Sequence, residues 1–382
     1  MRRWIACCWV LAGCDLVLGI DERRPDAAPD AAPPPSCAAL DEAPNTTHVT
    51  VMDVAELRMA ISLAAPFRTI SLAPGTYALE GVPLVVLTAN VTVRSATGVA
   101  SDVVIDGGNT GTSLLTIEAS NFTLSRLTIA NALYTGVLVK PTTTPITGTL
   151  IHAVDFLDNG GPALDLDHAG TNAELGPYAD NGTIVCSKFV STQKAGVDHC
   201  SRGRIGISGR AIRGWRIADN LFQDLRCATS QERVVWISAG SRETQLVNNS
   251  FTGSPMNIML GGGSGPRRSY LDSLPPDCSG VPDHRDGVIC NNRINGLAVP
   301  PFAGPDFDEG IALWDACDPL VIHNTVVTPA SGEAMWPISY RFASTYVRLV
   351  NNLSDRPPLA REGARQDDTF AASNVTYTST AD

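Results

Sequence analysis

The interval from Asn249 to Asn292 carries Arg267, Arg268, Tyr270 and His284, residue types that suit elimination on a uronic acid. One group would remove the proton α to the carboxylate, while cations stabilise the charge that develops. A second set, His199, Arg202, Arg204, Arg210 and Arg213, lies upstream. Arg202 and Arg204 alternate, so on a strand they share one face. Such a face binds carboxylates or sulfates, or else forms salt bridges with Asp219, Asp224 and Glu232. The catalytic candidates are therefore His199, Arg202, Arg268, Tyr270 and His284. Arg204, Arg213 and Arg267 are substrate-binding candidates, and an ordinary polar surface is the alternative for all of them.

Four tryptophans lie beyond residue 200. Trp215 and Trp314 sit in strand-like runs and are expected in the core or between coils. Trp236 and Trp336 are the candidate platforms for stacking on sugar rings. Asp306, Asp308, Glu309 and Asp315 offer oxygen ligands of the kind Ca²⁺ takes, with Asp165, Asp167 and His168 a smaller version of the same cluster. Neither spacing is diagnostic, and a solvated acidic loop is the alternative. Gly261-Gly262-Gly263-Ser264-Gly265 lacks the Gly-Lys-Ser/Thr ending of a phosphate loop. Neither a Gly-x-Ser-x-Gly elbow nor a His-Glu-x-x-His motif occurs.

The net charge of −11 is segregated. Residues 188–268 carry 12 basic and 5 acidic groups, a net of +7, between flanks of −10 and −8. A basic island in an acidic chain steers an anionic partner towards itself, and no nucleic-acid partner is expected.

A repeat must position these groups. Segments align on an apolar residue, a slot three later that is polar or Asn from Ser187 onward, and a second apolar residue two after that. The slots are Leu127, Val154, Ser187, Asn220, Asn249, Asn292, Asn324 and Asn352, at intervals of 27, 33, 33, 29, 43, 32 and 28 residues. The flanking pairs run from Leu124/Ile129 through Ile217/Phe222 to Val321/Val326, and the last slot departs because Leu349 is followed by Ser354. Such periods mark solenoids. Short strand-like segments with Asn at the turn, laddering from coil to coil, predict an all-β fold, a parallel β-helix over residues 48–382. Ahead of it, Asp53 and Glu56 form a capping box, and Val54, Leu57, Ile61 and Ala64 predict an amphipathic helix over 54–65.

That helix, the strand around Ile70 and Leu72, and Pro74-Gly75-Thr76-Tyr77 resemble the N-terminal cap of right-handed, pectin-lyase-like β-helices. Further on, Arg213-Gly214-Trp215-Arg216-Ile217, Glu309-Gly310-Ile311-Ala312-Leu313-Trp314, His323-Asn324-Thr325-Val326 and Tyr340-Arg341-Phe342 resemble a set of bacterial extracytoplasmic β-helix proteins. Relatives of that set often carry Glu just before the aromatic-Arg-Phe segment; Ser339 stands there in this chain.

At the N-terminus, Met1-Arg2-Arg3 precedes an apolar stretch from Trp4 to Ala12, too short to span a bilayer but suited to a signal peptide. Leu11-Ala12-Gly13-Cys14 resembles the lipobox of bacterial lipoproteins. The resemblance implies cleavage after residue 13, lipidation of Cys14 and anchorage in the cell envelope, at the inner or outer membrane. Residues 14–47 include a run of Pro, Ala and Asp with no apolar periodicity, expected as an extended tether. Seven cysteines remain after Cys14, free to form disulfides outside the cytoplasm. These readings converge on a membrane-tethered protein that binds, or cleaves by β-elimination, an anionic polysaccharide. The alternative is a non-catalytic envelope or adhesion protein.

Overall fold

The computed structural model describes residues 37–38, 40, 46–192, 205–227, 233–296, 307–329 and 336–377. Cys14, His199, Arg202, Arg204 and Asp306, like the signal peptide, lie outside them.

The chain is a right-handed parallel β-helix. The coils run through three long parallel sheets, with 14, 11 and 10 strands among the described residues, and two coils add a second short strand, Ser241–Arg242 and His284–Arg285, to the first. In one coil the chain runs through Arg216–Ala218 of the first sheet, Leu221–Gln223 of the second and Arg233–Ser238 of the third. The repeat pairs stack in register. Ile151, Ile184, Ile217 and Leu246 follow one another on the first sheet. Phe156, Phe189, Phe222 and Phe251 do so on the second, with ring centroids 4.6 to 4.8 Å apart. Their burial supplies one continuous apolar core.

The corner between the first two sheets explains the slot. The residue before it is left-handed in every repeat from Arg126 to Asn351, with φ between 51° and 57°. Side chains rarely favour that region, and from Ser187 onward the slot side chain bonds the corner. Asn249 Oδ1 accepts from the Asn220 backbone N–H at 3.0 Å, and Asn249 Nδ2 donates to Ile217 O at 2.9 Å. The same pattern runs through Asn292, Asn324 and Asn352 and ends on Asn374. The irregular last repeat still stacks, with Leu353 beside Thr325 and Ser354 beside Val326.

The helix spans Val54–Ser62, capped by Asp53 Oδ1 accepting from Glu56 N at 2.9 Å. It ends three residues earlier than the apolar spacing predicts. Pro66 disfavours a helical residue before it, and the helix closes at Leu63. Leu57 and Ile61 join the core of the first coils, closing the stack at that end. The tether, expected to run to residue 47, is tied back earlier. Cys37 is disulfide-bonded to Cys186, and Arg126 Nη2 donates to Cys37 O at 2.9 Å.

Candidate functional site

Alternation on the third sheet sorts its residues into an inner and an outer face. Leu164 and Leu166, Val235 and Ile237, and Ile338 and Tyr340 point into the core. Between them, Asp165, Ser208, Trp236, Met259, Ala312 and Ser339 form one row on the side away from the core, each in register with the next, in which Asp165 and Trp236 are partly exposed and the other four are buried. A second row holds Arg233, Met256, Glu309 and Trp336, and a third holds Trp314, Arg341 and Arg361. At about 4.8 Å between strands, five steps from Asp165 to Ser339 make a strip about 24 Å long.

The expected sugar platforms fall on this strip. Trp236 is partly exposed and its indole N–H donates to Gly261 O at 2.8 Å, which fixes the ring. The Arg233 guanidinium lies 4.7 Å from the Trp236 ring centroid, and that of Arg361 lies 5.7 Å from Trp336. Trp215 is core, 1% exposed. Trp314 instead lies half-buried on the outer face, edge-on to Phe342, with Arg341 of the next coil over it.

Glu309 is buried, in register between Met256 and Trp336. It accepts from the Ser339 hydroxyl at 2.6 Å through Oε1, while its other oxygen is buried without a partner. Burial pushes its carboxyl up from the ordinary glutamate value, against the Ser339 hydrogen bond. Asp308 is also raised by burial, opposed by Arg361 and Arg233. The preceding coil thus brings a carboxylate onto Ser339 from the row that continues at Trp336.

The described members of the expected Ca²⁺ set do not come together, and Asp306 lies outside the described residues. Glu309 turns to Ser339, whereas Asp315 pairs with Arg267 at 2.5 Å and accepts from Ser344. No group of three or more metal-ligating side chains assembles among the described residues. Asp315 lies between the strands Glu309–Trp314 and Ala316–Ile322, with a left-handed φ of 57°.

The catalytic candidates need a larger correction. His284 faces the core and is 0% exposed, since in the short strand His284–Arg285 it is Arg285 that faces outward. Burial pushes the imidazole down to about 3, so it stays neutral and out of reach of any substrate. Arg268 and Tyr270 do meet, in a cluster laid over the first sheet's flank. Arg268 makes a bidentate pair with Asp180 at 2.7 and 2.9 Å and sits 3.7 Å over the Tyr178 ring. Arg242, Arg268 and Arg285 surround the Tyr270 ring at 5.0 to 5.7 Å. Burial raises the Tyr270 phenol, opposed by Arg268, so this group is a poor base.

The cations of this cluster are already matched. Arg213 pairs with Glu243, Arg242 with Glu243, Asp272 and Asp286, Arg285 with Asp272 and Asp286, and Arg268 with Asp180. Four guanidiniums thus face four carboxylates. Arg267 similarly pairs with Asp283 at 3.3 Å and Asp315. Sequence reading named Arg213, Arg267 and Arg268 as candidates, but neither Arg242 and Arg285 nor the acids that pair with them. A cavity of about 180 Å³ remains beside Arg268, Tyr270, Asp272 and Arg285, smaller than ordinary ligand pockets.

A further polar group lies at the other end of the strip. Lys140, Asp165, Asp167, Ser208 and Arg210 come from three adjacent coils. Sequence reading placed Asp165 and Asp167 in a metal cluster and Arg210 in the basic island, and passed over Lys140. The acidic pair at alternate positions was the available signal.

No protein-family model matches the chain, and no curated protein matches it. Solved structures do. The chain is similar to the pectate lyase Pel9A at 12% identity and a TM-score of 0.46, over 88% of this chain and 82% of that one. It is similar to the alginate lyase AlyF-OU02 at 12% identity and a TM-score of 0.45, over 88% and 89%. It is likewise similar to PfbA, a surface adhesin of Streptococcus pneumoniae, at 13% identity and a TM-score of 0.45, over 85% and 89%. Polysaccharide lyases and an adhesin alike therefore stand among the structures that resemble this chain.

Proposed function

We propose that this chain is a membrane-tethered, extracytoplasmic protein that binds an anionic polysaccharide along the outer face of its third sheet. The observation that carries the reading is the pairing of Trp236 with Arg233 and of Trp336 with Arg361 on one partly exposed face. Flat aromatic rings stack on sugars, and the arginines beside them answer the charge of a uronate. The tether and the lipid anchor at Cys14 would hold this face outside the membrane.

The test is retention of the intact chain on immobilised alginate and polygalacturonate, against a neutral dextran control. Retention on the acidic resins, weakened about tenfold by Trp236→Ala or Trp336→Ala, supports the reading. Equal passage through all three resins would refute it. Retention without any cleavage leaves the protein a binding module rather than an enzyme.

A further inference from the structure

Resting on that glycan-binding reading, we propose that Asp165 is the catalytic base of a β-elimination on a bound polyuronate, with Lys140 and Arg210 neutralising the uronate carboxylate.

The geometry comes from register. Leu138, Asp165 and Ser208 are neighbours on three adjacent strands of the third sheet. Lys140, Asp167 and Arg210 lie two residues further along the same strands, so they form a second short row beside the first. Asp167 holds the cations in place. Arg210 Nη2 lies 2.6 Å and Lys140 Nζ 3.4 Å from Asp167 Oδ2, and the His168 backbone N–H donates to Asp167 Oδ1 at 2.8 Å. The Asp167 side chain is 3% exposed, whereas those of Arg210 and Lys140 are 50% and 35% exposed. The cations are therefore anchored at one side and open to a ligand at the other. Two positive charges face Asp167, so one exceeds it; that charge offsets the Asp165 carboxylate before the step and is released to the anion of the substrate as Asp165 takes the proton.

Asp165 stands in front of this pair, outward and partly exposed. Its Oδ1 is shielded from water and has no hydrogen-bond partner. Its carboxyl is pushed up to about 6, by burial first and then by Asp167, against Arg210, the Ser208 hydroxyl and Lys140. A base works best when its proton affinity lies near the working pH. Trp236 lies two strands away, about 10 Å along the strip, where the next sugars of a bound chain would stack.

The step balances. The Asp165 carboxylate takes the proton α to the uronate carboxylate, and the C–H electron pair becomes the new double bond. The bond from the β carbon to the glycosidic oxygen breaks, and that oxygen recovers the proton from Asp165. One chain becomes two, no water is consumed, and Asp165 ends as it began.

The experiment incubates the intact chain with polygalacturonate and with alginate, with and without added Ca²⁺. It follows the ultraviolet absorbance of the unsaturated uronate and, separately, new reducing ends. The expected result is an absorbance rise whose kcat falls at least about 100-fold in Asp165→Asn, with column retention unchanged. The rate should also climb through about pH 6, where Asp165 ionises. Lys140→Ala and Arg210→Ala should weaken both retention and rate. Thermal unfolding checks that each variant is folded. Retention without product, reducing ends without absorbance, or full activity in Asp165→Asn overturns the proposal while leaving glycan binding intact. Loss of both retention and product overturns both readings.

Discussion

The Ser339 hydroxyl donates a 2.6 Å hydrogen bond to Glu309 Oε1 across two adjacent coils, on a carboxyl whose residue is 2% exposed. That bond favours the ionised carboxylate, while burial favours the protonated acid and is the larger effect. Because the folded value lies above the unfolded one, Glu309 stabilises the fold most in acid and loses that contribution as pH rises through its folded value.

Ser339→Ala should therefore cost more when Glu309 is ionised. The expected loss is about 2 kcal/mol at about pH 7 and about half that at about pH 4. Urea denaturation at the two pH values measures it. Equal losses would mean that Glu309 carries the same charge at both.

The outer-face chemistry was hard to read because register is set by insertion lengths. Ser339 alone looked like the loss of an acid, yet Glu309, thirty residues earlier, brings a carboxylate onto its hydroxyl. Asp165 and Arg210 are 45 residues apart in sequence and lie on neighbouring strands. His284 was misread because a two-residue strand offers no alternation to show which neighbour faces the core. The Asn slots were legible for the opposite reason. Each makes the same bonds in the same corner, so the residue type itself repeats at Asn220, Asn249, Asn292, Asn324 and Asn352. Only Asn374 escaped, its spacing of 22 residues falling short of the period.

The ladder predicts a gradient of cost. Asn249 accepts from Asn220 N and Nδ2, and donates to Ile217 O and Asn292 Oδ1, all buried. Asn249→Ala leaves these groups unsatisfied around a left-handed corner and should cost about 3 kcal/mol. Asn374→Ala, at the part-buried end of the row, should cost about 1 kcal/mol. Chemical denaturation of the two variants separates these values, and equal costs would show that corner burial does not govern the ladder.

His284 predicts acid sensitivity. Its folded value is pushed down to about 3 by burial, below the ordinary histidine value of 6.5. A depressed value gives stability that is complete above about 6.5 and is lost as pH falls towards the folded value. The difference corresponds to an upper bound of about 5 kcal/mol. His284→Gln should flatten the stability profile between about pH 6.5 and about pH 4 and leave glycan retention unchanged. A profile of unaltered slope would assign the acid sensitivity to other groups.

Arg268 tests whether the basic cluster is scaffold or binding surface. Arg268 and Asp180 are 12% and 16% exposed at their side chains, and two hydrogen bonds join them. Removing one partner leaves a largely buried charge without its counter-ion, which costs about 3 kcal/mol. Arg268→Ala and Asp180→Ala should each destabilise by that order, and the double variant should cost less than their sum. If the cluster is scaffold, folded Arg268→Ala keeps its retention on acidic resins, whereas Trp236→Ala does not. Loss of retention in Arg268→Ala with stability unchanged would return the glycan to the flank of the first sheet, because a cation engaged by Asp180 would then be serving the ligand and not the fold.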